Sequence, residues 1–169
     1  MDPETTRHQP HEAFHIRPAT VADVSVVLAL IRELAEYEKL LHEVVATETL
    51  VKEALFSPKP VAECALACVD GNPVGFALYF HNYSTFMGRA GLYLEDLFVR
   101  PEYRGRGIGE GLLRYLARVA VARGCARMEW AVLNWNKRAI EFYERMGAVG
   151  VLDWTVFRVS GAALVRLGS

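Results

Sequence analysis

Arg100-Pro101-Glu102-Tyr103-Arg104-Gly105-Arg106-Gly107-Ile108-Gly109 is the stretch on which the reading of the whole chain turns. It follows an apolar run, Gly91 to Val99, with the composition of a strand. It opens a segment, from about Gly107 to Ala122, in which Ile108, Leu112, Leu116 and Val119 recur at helical spacing. The spacing predicts a strand, a glycine-rich loop and a helix. At such a helix N-terminus the first N–H groups have no intrahelical partner, the helix dipole adds partial positive charge, and glycines let a ligand reach the backbone. Arg104 and Arg106 add full charges. A phosphate or diphosphate is the expected guest; the plainer alternative is a glycine-rich helix cap beside two exposed arginines. The dinucleotide pattern G-x-G-x-x-G fails, because its third glycine would fall on Glu110 or Leu112, and no Gly-Lys pair exists to make a P-loop.

Working outward, Phe14 to Arg17 reads as a short strand ended by Pro18. Thr20, with Asp23 three residues on, reads as the N-cap of a first helix. Val24, Val27, Leu28, Ile31, Leu34 and Ala35 give that helix an apolar face, and it should run to about Tyr37. Thr47 to Leu55 predicts a second helix, stopped by Ser57-Pro58. Val61 to Val69 and Val74 to Phe80 flank Asp70-Gly71-Asn72-Pro73, a strong turn signal, and form a predicted hairpin. Asn82 to Gly88 reads as a loop. Past the helix capped by Gly124, Arg127 to Leu133 predicts a strand, Asn136 to Met146 a helix closed by Gly147, and Trp154 to Val159 a final strand. The strand–helix–strand order of the second half requires some parallel pairing, whereas the hairpin is antiparallel. The expectation is a mixed sheet with helices on it, in one α/β domain over residues 14–169 preceded by a loose polar tail over 1–13.

Composition sets bounds on function. Of 169 residues 52% are hydrophobic and 23% charged, so the chain can bury a core, and the net charge of -1 argues against a uniformly basic nucleic-acid binder. Cys64, Cys68 and Cys125 are too few and too scattered for a disulfide framework and read as small buried hydrophobes in a reducing compartment. His8, His11 and His15 could meet a metal, but a loose tail lacks the surrounding contacts that fix metal ligands, so no metal site is expected. The first thirteen residues hold no apolar core segment, and runs such as Val26 to Ile31 are far too short to span a bilayer. These features point to a soluble, cytoplasmic protein without membrane or nucleic-acid partners.

Arg104-x-x-Gly107-x-Gly109 matches the R/Q-x-x-G-x-G/A signature of the GNAT superfamily of N-acetyltransferases. Three further segments resemble its diamine and thialysine acetyltransferase branch. They are Ile31-Arg32-Glu33-Leu34-Ala35-Glu36-Tyr37-Glu38, Tyr93-Leu94-Glu95-Asp96-Leu97-Phe98-Val99, and Trp135-Asn136 through Phe142-Tyr143 to Gly147-Ala148. The resemblance implies a mixed, mostly antiparallel central sheet with a splayed parallel pair and flanking helices, acetyl-CoA as cosubstrate, a homodimer and no metal. It implies that the backbone of Leu97, Phe98 and Val99 meets the pantetheine arm, with an N–H near Leu97 polarising the thioester carbonyl. Arg104, Gly105, Arg106, Gly107, Ile108, Gly109 and Glu110 would hold the diphosphate, with further cofactor contacts at Asn136, Arg138 and Ala139. Tyr143 matches the tyrosine that protonates the leaving thiolate, and it lies two helical turns from Asn136 on the same face. Glu95 matches the carboxylate that takes the amine's proton, and its place in an apolar strand predicts burial and a raised pKa.

Charge agrees with that assignment. Residues 100–127 hold seven arginines against two glutamates, and residues 31–53 hold six glutamates against three basic residues. A basic end suits an anionic cofactor and an acidic end a cationic amine. The acceptor is expected at Glu33, Tyr37, Glu38, Ser84, Glu95, Asp153 and Trp154. Polyamine enzymes of the branch carry Tyr-Asp-Pro-Trp where this chain reads Tyr83-Ser84-Thr85-Phe86, and the thialysine enzymes carry Tyr-Ser-Thr-Trp. A lysine-like amine or short diamine is therefore expected before spermidine. The alternatives are a polyamine enzyme, an enzyme acylating a protein N-terminus or lysine, and a non-catalytic acyl-CoA sensor. Retention of both Glu95 and Tyr143 argues against the last.

Overall fold

The computed structural model describes residues 13–169, so the expected tail, with His8 and His11, lies outside the described residues apart from Ala13. The chain divides into two compact units, one ending at Ala131 and the other Val132–Ser169.

The first unit is built on five strands in sequence order: β1 (Phe14–Pro18), β2 (Glu63–Val69), β3 (Asn72–Ser84), β4 (Arg89–Val99) and β5 (Met128–Trp130). All neighbours are antiparallel except β4 and β5. Three helices accompany them, α1 (Val24–Tyr37), α2 (Glu48–Phe56) and α3 (Ile108–Ala122). Strand alternation sorts the core into two layers. Cys64, Leu66, Cys68, Phe76 and Phe98 pack with Val24, Val27 and Leu30 of α1 and Val51 and Leu55 of α2. Ala65, Ala67 and Ala77 point the other way and are fully buried. On that side α3 sits so close that a Cβ on Gly111 would come within 2.6 Å of the Phe14 ring and 3.2 Å of Ile16. Small residues on the sheet and a glycine on the helix permit this approach.

The start of α1 is fixed electrostatically. Arg17 donates twice to Asp23, at 2.7 and 2.8 Å, and Asp23 also accepts from the Thr20 N–H at 2.7 Å and hydroxyl at 2.8 Å. The Arg17 guanidinium holds the Asp23 carboxyl well below the usual carboxylate range.

Four expectations change. Asn82–Ser84, read as loop, extend β3 and pair with Gly91, Ala90 and Arg89. Their polarity hid the strand; the Asn82 side-chain NH2 donates across the sheet to Glu129 at 2.8 Å, while its Oδ1 is buried without a hydrogen-bond partner among the described residues. Val61 and Ala62 precede β2, because their N–H groups bond back to the Ala54 carbonyl of α2. β5 covers only Met128–Trp130 of the expected Arg127 to Leu133. Trp154 to Val159, rich in β-branched and aromatic residues, forms no strand. Such composition suits a strand, but a strand also needs a paired backbone, and among the described residues none pairs with it.

The second unit, taken by itself, contains α4 (Lys137–Arg145) and α5 (Gly161–Leu167). Asn136 caps α4 by accepting the Ala139 N–H at 3.2 Å, and Gly147, at φ 90°, ends it.

Because an added Cβ would meet the Phe14 ring at 2.6 Å, Gly111→Ala should destabilise the fold by roughly 1–3 kcal/mol, as overpacking does. A lowered urea midpoint at unchanged slope would show it; an unchanged midpoint would mean that the β1–α3 contact is soft.

Candidate active site

β4 positions everything in the first unit that carries chemistry. Its pairing with β5 stops at Leu94 opposite Trp130, while its pairing with β3 continues to Val99. From Glu95 to Val99 one backbone edge therefore has no strand beside it among the described residues. The Arg100 N–H donates to the Val74 carbonyl at 2.9 Å. In an antiparallel ladder alternate residues turn opposite ways, so Leu97 and Val99 direct their N–H and C=O groups to the open edge and Phe98 directs its own to β3.

That edge runs into the glycine loop. Gly105 and Gly107 adopt φ of 79° and 80°, in the left-handed region, and a Cβ on either would meet nothing within 4 Å. Open space at both residues leaves the backbone accessible at the start of α3. The Arg106 guanidinium lies 5.1 Å from the Tyr103 ring centroid and donates to the Glu102 carbonyl at 3.1 Å. Glu110 pairs with Arg114 one turn along α3, at 2.7 Å.

Arg104 turns away from the glycines. Its Nε donates to the Val99 carbonyl at 2.8 Å, and its guanidinium lies 4.4 Å from the centroid of Tyr37 and 5.5 Å from that of Phe98. Glu33, expected at the acceptor, makes a two-point ion pair with Arg100, at 2.7 and 2.8 Å.

β4 also carries a bulge. Tyr79 stands opposite Leu94 and Leu78 opposite Asp96, which leaves Glu95 unmatched. The extra residue reverses the alternation. Glu95, predicted to be buried, is exposed, and the half-buried carboxylate is its neighbour Asp96. Asp96 lies with Leu78 and Phe98 on the α1 side of the sheet. Burial, reinforced by the nearby charges of Glu95 and Glu38, pushes its carboxyl up to about 6. Burial also raises Glu38 at the end of α1. Sequence reasoning missed Asp96, although an acid inside an apolar strand was a visible signal; the bulge that selects it over Glu95 was not.

Ser84 is buried, and its hydroxyl accepts from Arg127 at 3.1 Å and from the Met87 N–H at 3.3 Å, holding the end of the β3–β4 hairpin. In the second unit, α4 carries Asn136 at its cap, then Arg138, Ala139 and Tyr143. Tyr143 is half-buried beside Phe142, with ring centroids 5.2 Å apart. Asp153 and Trp154 are exposed, outside any helix or strand. Among the described residues there is no group of three His, Cys, Asp or Glu placed to hold a metal, and no helix is long and apolar enough to cross a membrane.

The parallel β4–β5 pair ends at Leu94 and Trp130, and β4 leads on to a glycine loop at the N-terminus of α3. The acetyltransferase (GNAT) family model matches residues 29–148, and the chain belongs to that family. A thialysine N-epsilon-acetyltransferase from Bos taurus is 42% identical over 163 residues, covering 90% of this chain and 95% of that one. An L-ornithine N5-acetyltransferase from Arabidopsis thaliana is 31% identical, covering 96% of this chain and 91% of that one. A solved integron cassette protein from the mobile metagenome of V. cholerae superposes with a TM-score of 0.78 at 26% identity, over 92% of this chain and 97% of that one. The protein is an N-acetyltransferase.

The raised Asp96 carboxyl has a consequence for stability. The folded protein binds this proton more tightly than the unfolded chain, whose carboxyl titrates near its ordinary 3.8. Ionising Asp96 therefore costs stability as pH rises through about 6. Asp96→Asn should exceed wild type in stability at pH 7.5 by on the order of 2 kcal/mol, with the gain gone by about pH 4. Urea unfolding at the two pH values measures this, and a gain independent of pH would contradict the assignment.

Proposed function

We propose that the protein transfers the acetyl group of acetyl-CoA to a small primary amine, a thialysine- or lysine-like compound or a short diamine, by direct attack in a ternary complex. The observation that carries this reading is the open edge of β4 running into the accessible backbone of Gly105–Gly107. Such an edge offers N–H and C=O groups to the amides of a pantetheine arm, and the start of α3 offers N–H groups to a diphosphate. Bound acetyl-CoA supplies a thioester, whose acyl carbon is the electrophile.

The chain's own groups then divide the work. The Leu97 N–H, on the open edge, is the donor assigned to the thioester carbonyl. An amine with a pKa near 10 must give up a proton before it attacks. A β4 carboxylate accepts it, and Glu95, exposed and able to meet an incoming ammonium, is the residue assigned from the family pattern. Tyr143 is assigned the proton that the departing thiolate needs. Glu38 and Tyr37, at the end of α1, give the amine an acidic and aromatic wall. The choice of a lysine-like amine is supported by the thialysine and ornithine acetyltransferases among the relatives. A human spermidine/spermine N(1)-acetyltransferase-like protein is also similar, at 32% identity, though this chain covers only 24% of its length. It keeps polyamines as the competing acceptor.

The deciding experiment is thiol release from acetyl-CoA with thialysine, lysine, ornithine, short diamines, spermidine and a peptide. Highest kcat/KM is expected for thialysine or a short diamine; a preference for spermidine or the peptide would replace this substrate class. In the same assay Tyr143→Phe keeps the ring and removes the proton, so kcat should fall roughly 10²-fold or more. A fall of only a few-fold would mean that the thiolate leaves without this donor.

A further inference from the structure

We propose that Arg104 is a positioning residue for the amine, tying the cofactor loop to the end of α1, and that its side chain is not a ligand of the diphosphate. The proposal rests on the reading of the loop as the acetyl-CoA site and assigns a different task to the cation within it.

The geometry commits this side chain in three directions. Its Nε donates to the Val99 carbonyl, the last group of the open β4 edge, at 2.8 Å. One face of its guanidinium covers the Tyr37 ring, 4.4 Å from the centroid, and Phe98 lies 5.5 Å away. To serve a diphosphate at Gly105–Gly109 it would have to abandon the carbonyl and the ring together. The loop does not need it there, because backbone N–H groups at the start of α3 remain.

A second contact repeats the arrangement. Arg100 pairs with Glu33 through Nε and Nη2, at 2.8 and 2.7 Å. Glu33 and Tyr37 are one helical turn apart on α1, so they share a face. Two successive turns of that face are thus held by two arginines, four residues apart, that flank the short turn Pro101–Tyr103. Glu38 follows Tyr37 directly. Its charge is felt by Asp96, two residues before Phe98 on the α1 side of β4. The ring that Arg104 holds is thus at the same end of α1 as Glu38, a carboxylate assigned to the ammonium. Planarity matters to this role: a guanidinium stacks on a ring while its Nε donates in the ring plane of the fork, and an ammonium cannot do both.

The test uses the full chain with Arg104→Lys, Tyr37→Leu and the double variant. Coenzyme A binding is measured by calorimetry, and KM is measured for acetyl-CoA and for the best amine of the panel. Arg104→Lys keeps a cation near the loop, so coenzyme A affinity should stay within about threefold of wild type, while amine KM rises about 5- to 10-fold through loss of the stack. Tyr37→Leu should raise amine KM similarly, and the double variant should be no worse than the worse single. A tenfold or greater loss of coenzyme A affinity in Arg104→Lys with amine KM unchanged, or multiplicative effects in the double variant, would overturn the proposal. Should Arg104→Lys fail to fold, Arg104→Gln takes its place under the same criteria. If wild type acetylates no amine, the functional reading fails, whereas calorimetry and the additivity of urea midpoints across the same variants still decide what Arg104 contacts. Retained coenzyme A affinity with non-additive midpoints supports the proposal, and lost affinity with additive midpoints refutes it.

Discussion

The early end of the β4–β5 ladder is the constraint on which the site depends. β4 is held along one side by β3 to Val99, but on the other side it loses its partner after Leu94. Backbone groups removed from water need partners, so an edge of this kind is either covered or used. Here it leads directly to the left-handed glycines that begin α3. The proposed ligand, an extended amide-bearing arm ending in a diphosphate, would meet the edge first and the loop next.

The same strand sets the electrostatics. The bulge at Glu95 turns one carboxylate outward and places the next, Asp96, half-buried on the α1 side with its proton held up to about 6. Opposing this, Arg100 and Arg104 reach from the loop to Glu33 and Tyr37. The acidic and basic segments seen in the sequence thus meet along the last two turns of α1. Part of their charge is spent on each other in the Arg100–Glu33 pair, while Glu38, Glu95 and Asp96 lie near enough for Asp96 to feel the other two charges.

Much of this was legible beforehand because it rests on local chemistry. The glycine spacing, the helix periodicity of α1 and α3, and the turn at Asp70-Gly71 each depend on neighbours in sequence. What escaped depends on partners far along the chain. The bulge comes from register against β3, so the burial expected of Glu95 passed to Asp96. The polar Asn82 side chain sits in strand β3 with its NH2 group donated to Glu129, 47 residues away. Nothing local in the sequence pairs Glu33, expected at the acceptor, with Arg100, 67 residues on. Trp154 to Val159 shows the converse: its β-branched and aromatic composition suits a strand, but composition supplies no backbone partner.

Amide hydrogen exchange, resolved by residue with and without saturating coenzyme A, tests the central claim most directly. Slowed exchange is expected at Leu97 and Val99, whose N–H groups lie on the open edge, and at Ile108 and Gly109 at the start of α3. Phe98 and Arg100, already turned to β3, should change little. Protection spread equally over Leu97 to Arg100, or none along β4 and the loop, would contradict it.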